Sequence, residues 1–134
     1  MFLNFSNHPS DRWNKAQRQA AEGYGEIRDV PFPDVPSLAK TEEITILANQ
    51  YSERIIRQHP DCVMCQGEFT LTMAVVRRLQ KAGILCVCAC SERRAVEEHM
   101  SDGTTKKTAI FEFVQFRPYE KNRRNVENDK GIKV

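Results

Sequence analysis

No stretch of this chain approaches the roughly 20 consecutive apolar residues a membrane-spanning helix requires, so no membrane partner is expected. A strong charge imbalance is also missing. With 20 basic and 18 acidic residues the net charge is +2, too mild to indicate duplex DNA, although a local cluster can still hold a small anion. The start, MFLNFSNHPSD, has neither a basic region nor an adequate apolar core, so a signal peptide is not expected and the reading is cytoplasmic. Internal repeats and low-complexity segments are absent. At 134 residues the chain fits one domain, large enough for a core and small enough to favour dimerisation.

A metal-binding cysteine pattern is lacking too. Cys62 and Cys65 have knuckle-like spacing, but residues three apart on a strand point to opposite faces. Cys86, Cys88 and Cys90 alternate along another apolar run, where same-face neighbours stand about 7 Å apart. An odd number of cysteines without an export signal argues for reduced thiols, so neither a metal nor a cofactor is expected.

What is present centres on Asp61 to Gly83. Cys62-Val-Met-Cys65 is too short for a helix and suits a strand buried on both faces. Gln66-Gly67-Glu68 breaks the run, and Leu71, Val75, Leu79 and Ala82 then give helical spacing. Such a strand–turn–helix junction lies at the carboxyl end of a strand, where open α/β sheets bind ligands. Glycine would let the backbone approach a ligand, and the first helical turn would favour an anion. The junction has one glycine and no Gly-Lys-Ser/Thr, so it is neither a P-loop nor a dinucleotide fingerprint.

Phe2 to Phe5 reads as a first strand, and Ser10 as the N-cap of a helix running through Trp13, Ala16 and Ala20 to Gly23. Tyr24 to Val30 reads as strand two, and Pro31, Pro33 and Pro36 require an extended connection. Thr41, Glu42 and Glu43 open a helix whose stripe is Ile44, Leu47, Ala48, Tyr51 and Ile55, stopped by His59-Pro60. Ile84 to Cys90 reads as a second doubly buried strand, ending in the polar turn Ser91-Glu92-Arg93-Arg94. Residues 95–100 and 105–116 flank Asp102-Gly103, a hairpin signal. From Glu120 a polar tail, expected to be mobile, completes the chain. The alternation predicts a single three-layer α/β domain over residues 1–119, Rossmann/flavodoxin-like. Its sheet is mostly parallel, of order 2-1-3-4, with the antiparallel hairpin at the far edge. That order puts Ser6-Asn7-His8 beside Gln66-Gly67-Glu68, with Ser91-Glu92-Arg93 one strand away.

The set Phe5-Ser6 with nearby His8, Gln66-Gly67-Glu68-Phe69, Ser91-Glu92-Arg93 and Phe116-Arg117-x-Tyr119 resembles a small CRISPR-associated family. Its members are short stand-alone Rossmann-like proteins of type III systems, related to CARF domains. In this chain Asn7 stands between the serine and the histidine, and Glu68 where aspartate is more frequent. The resemblance implies binding of a cyclic oligoadenylate messenger, with cyclic tetra-adenylate the expected ring, and cleavage of it as a metal-independent ring nuclease in antiviral defence. It implies a homodimer, whose two-fold symmetry matches that of a four-membered ring.

Candidate roles follow. His8 is suited to acid–base work, and Arg93 offers paired donors to phosphate. Ser6 completes the expected catalytic set. Asn7, Gln66, Gly67, Glu68, Phe69, Thr70, Ser91, Glu92 and Arg94 are the expected ligand-binding residues. Two alternatives stay open: a sensor that binds without cutting, and a nucleoside N-glycosidase or deoxyribosyltransferase using Glu68 as nucleophile.

Overall fold

A computed structural model describes residues 1–121; most of the expected tail, residues 122–134, lies outside the described residues. The chain runs β1 (Phe2–Ser6), a 3-10 turn (Ser10–Arg12), α1 (Lys15–Glu22), β2 (Ile27–Asp29), α2 (Thr41–Ile56), β3 (Cys62–Gln66), α3 (Phe69–Lys81), β4 (Leu85–His99) and β5 (Thr105–Pro118). The architecture is α/β. Its five-stranded sheet has the order β2-β1-β3-β4-β5, with β2, β1, β3 and β4 parallel and β4–β5 antiparallel.

The central strands are apolar on both faces because both faces are covered. Leu3, Phe5, Val63 and Cys65 pack with Ile44, Ala48 and Ile55 of α2 and Leu71, Val75 and Leu79 of α3. The alternate residues Phe2, Cys62, Met64 and Val87 pack with Ala21 of α1, Trp13 and Phe116. Phe2 and Phe5 are fully buried, each stabilising the fold by about 1.5–3 kcal/mol.

Three expected boundaries are corrected. Helix α1 begins at Lys15, capped by Asn14, whose side chain accepts the Gln17 N–H. Ser10 instead opens a separate 3-10 turn that includes Arg12, which leaves Trp13 and the cap Asn14 in the connection between the two. Strand β2 covers only Ile27–Asp29 because Tyr24 and Gly25 make turn bonds to Ala21 and Glu22. The largest correction concerns Ser91-Glu92-Arg93-Arg94, which is no turn. Each residue pairs with β5, and β4 continues to His99. A register shift between Cys90 and Ser91 marks where the strand leaves the body. Beyond it, β4 and β5 form a two-stranded arm whose residues are mostly exposed.

Candidate functional site

Site geometry starts from a buried asparagine. Asn4, in the middle of β1, is 1% exposed, and such a group is costly unless every polar atom finds a partner. Its Nδ2 donates to the His8 carbonyl at 2.8 Å and to Asp29 Oδ1 at 3.1 Å. Its Oδ1 accepts from Ser6 Oγ at 2.6 Å. Ser6 Oγ in turn accepts the His8 N–H at 3.1 Å. Asp29 Oδ2 accepts the Ser10 N–H, and the indole N–H of Trp13 donates to the His8 carbonyl. Buried polar groups have thereby fixed the backbone after β1, leaving the His8 side chain exposed. Among the described residues no hydrogen bond or ion pair engages the imidazole.

The fixed loop forms one wall of a cleft of about 560 Å³, within the roughly 300–1,000 Å³ usual for small-molecule sites. Asn7, His8, Pro9, Arg12, Trp13, Asn14 and Gln17 line that wall. Met64 and Gln66 at the end of β3 form the floor, and Ala89, Ser91, Phe111 and Phe113 form the opposite wall. The floor extends to β4 through Gln66, whose Oε1 accepts the Ala89 N–H at 2.8 Å. This bond continues the contact beyond the last β3–β4 pair, Met64–Val87. The cleft therefore opens at the carboxyl ends of β1 and β3, where the chain's winding reverses across the sheet.

Of the expected residues, Asn7, His8, Gln66 and Ser91 meet in this cleft. Ser6 is 5% exposed and engaged with Asn4 and His8, so it positions the loop and offers no free hydroxyl. Gly67 answers a packing demand. A Cβ there would stand 2.7 Å from the Phe32 ring, which packs tilted against Phe5. Glu68 and Thr70 line another groove, with Val35 and Ser37. The Glu68 carboxylate caps α3 by accepting the Thr70 and Leu71 N–H groups and the Thr70 hydroxyl. Partial burial raises its pKa, but these hydrogen bonds outweigh that and hold it below the ordinary value. Phe69 is 89% exposed beside Met73 and Tyr119, in a third depression. Glu92, Arg93 and Arg94 stand exposed on the arm, where Arg94 pairs with Glu112 at 3.3 Å.

The cleft's guanidinium is Arg12, and its aromatic faces are Trp13, Phe111 and Phe113. Sequence reasoning passed over all four. Asn14 was the signal that could have placed Arg12 and Trp13, because as the cap it moves them out of the helix. Among the described residues the lining holds no carboxylate. Among the described residues no group of three His, Cys, Asp or Glu side chains could hold a metal ion. No helix among them is long and apolar enough to cross a membrane.

A family described as "Uncharacterized protein MJ1673 family" matches residues 1–117. No curated protein matches the chain, and no solved structure does. The matched residues span every element from β1 into the last residues of β5, and with them the whole cleft; the chain belongs to the MJ1673 family.

Proposed function

We propose that the protein binds a cyclic oligoadenylate in the cleft at the ends of β1 and β3 and cuts it without a metal ion. One observation carries the reading. The cleft combines aromatic faces (Trp13, Phe111, Phe113), amides (Asn7, Asn14, Gln17, Gln66), an imidazole (His8) and a guanidinium (Arg12) on one concave surface. Aromatic faces stack bases of single-stranded nucleotides. Amides suit adenine edges, and guanidinium suits phosphate through paired donors. Helices packed on both sheet faces support a three-layered, Rossmann/flavodoxin-like reading, a setting in which such a cleft is the usual ligand position.

In this mechanism a ribose 2′-hydroxyl attacks its own phosphorus, releasing its proton to solvent, while the bond to the 5′-oxygen of the next nucleotide breaks. The products are a 2′,3′-cyclic phosphate and a free 5′-hydroxyl. Stacking splays the backbone so that the attacking and leaving oxygens come into line. Arg12 stabilises the charge on the phosphoryl oxygens. His8 protonates the leaving 5′-oxygen, and Ser6 and Asn4 hold the His8 backbone. This assignment replaces Arg93 by Arg12 and gives Ser6 a positioning role. Glu68 is committed to capping α3, away from the cleft, which disfavours the glycosidase reading.

The test is product identity after incubation with cyclic tetra-adenylate in EDTA, separated by chromatography and weighed by mass spectrometry. Linear adenylates ending in cyclic phosphate are expected. Arg12→Ala should lower the rate by about 10²-fold or more, and His8→Ala by about 10²–10⁴-fold, whereas Arg93→Ala should change it little. Tight binding with no cleavage would make the protein a sensor. Release of free adenine would overturn both readings.

A further inference from the structure

The outer edge of β5 is left without a strand partner among the described residues. The strand is the last of the sheet and 14 residues long. Native proteins usually blunt such edges with proline, charge or a covering element. Here Thr108 to Phe111 carries no charge and no proline, while Ile110, Phe111 and Val114 are 40%, 71% and 52% exposed. A two-stranded ribbon alone is marginally stable in water, so this arm calls for a partner.

The backbone fixes what that partner must match. The Met100 N–H donates to the Thr104 carbonyl, and the register pairs His99 with Thr105. Even-numbered residues of the arm on β5 therefore turn their N–H and C=O groups toward β4. Odd-numbered ones, Thr105 to Phe113, turn theirs outward. A second copy related by a two-fold axis normal to the sheet keeps each side chain on its own face, so odd must meet odd. Among the neighbouring registers of that kind, the one centred on Ala109 brings Lys106 opposite Glu112 twice, once on each side of the axis. The same register sets Lys107 opposite the exposed Phe111 ring, a cation over an aromatic face.

We infer that β5 pairs antiparallel with β5 of a second copy about Ala109, joining two sheets into one of ten strands, twice the five of one chain. This deepens the homodimer of the ring-binding reading but rests on the edge strand alone. It has a consequence for the cleft. A two-fold axis normal to the sheet keeps both clefts, which Phe111 lines, on one face of the joined sheet, with the two Phe111 residues about 13 Å apart along the paired strands.

Sedimentation or light scattering of the ligand-free chain at micromolar concentration tests the pairing, the expected mass being twice the 15.5 kDa of one chain. Ala109→Pro removes an outward N–H and no bond to β4, so it should give a monomer with unchanged circular dichroism. Lys106→Glu sets two carboxylates against each other at each contact, and Glu112→Lys sets two ammonium groups. Each variant alone should dissociate at least tenfold more readily than the parent. Mixing the two restores an opposite-charge pair on both sides of the axis and should restore the dimer. A monomeric parent, or a dimer indifferent to Ala109→Pro and to mixing, would overturn the interface. Ligand cleavage is measured separately, so loss of activity in an intact dimer bears on the cleft and leaves this pairing standing.

Discussion

Gly67→Ala separates a packing role from a ligand role at the turn that the sequence makes most conspicuous. The added methyl would sit 2.7 Å from three carbons of the Phe32 ring, well inside contact distance. Phe32 cannot readily yield. It is 6% exposed, its ring centroid lies 4.7 Å from that of Phe5, and its N–H donates to the Ser6 carbonyl at 3.3 Å. Forcing a methyl into such a site costs about 1–3 kcal/mol, which lowers Tm by roughly 4–12 °C at about 4 °C per kcal/mol for a chain of this size. Urea denaturation in a double-mutant cycle measures the coupling. Phe32→Ala alone should cost about 3–5 kcal/mol. In its background the Gly67 substitution meets empty space and should cost nothing or stabilise slightly. Equal cost in both backgrounds would refute the packing argument. Loss of ligand binding with unchanged stability would show that the glycine serves the ligand after all.

Two further outcomes concern titrating groups. Glu68→Ala removes the α3 cap and should destabilise by about 1 kcal/mol at neutral pH. The Glu68 pKa lies below its ordinary 4.5 in the folded chain, so the difference from the parent is present above 4.5 and fades as pH falls through the folded value. Burial first, then the neighbouring Asp61 charge, pushes the Cys62 thiol up to about 12; burial and Cys62 push Cys86 up to about 12. Burial likewise raises Cys65. For groups shifted this way stability is full below the unfolded thiol value of 9.0 and declines as pH rises from 9 toward 12. Iodoacetamide under native conditions should therefore modify Cys88 and Cys90, which are part-exposed, well before the other three. Equal labelling of all five at pH 8, followed by mass spectrometry, would contradict the buried-strand placement.

The strand order was legible because burial on both faces leaves a compositional mark: Cys62 to Cys65 and Ile84 to Cys90 are continuous apolar runs. Helix α2 was legible because its stripe has one period from Ile44 to Ile55. The arm was not. A two-stranded ribbon exposed on both faces has no core to impose alternation, so Ser91-Glu92-Arg93-Arg94 looks like a turn although nothing in it breaks a strand. That error hid Phe111 and Phe113, which reach the cleft only because β4 and β5 run on past the body. The cap choice had a similar effect. Ser10 and Asn14 are both good caps, and the Asp29 carboxylate that takes the Ser10 N–H comes from β2, a tertiary contact invisible locally. Four of the thirteen residues that line the cleft, Asn7, His8, Gln66 and Ser91, followed from strand order alone.

Trp13 is the chain's only tryptophan and lines the proposed cleft, so its emission reports directly on occupancy. Titrating cyclic tetra-adenylate into the protein in EDTA should give a saturable change in Trp13 emission, matched by calorimetry. Arg12→Ala should shift that curve to weaker binding and leave its amplitude intact. Calorimetric binding without any change in emission, or no binding by either readout, would contradict the assignment of this cleft to a cyclic oligoadenylate.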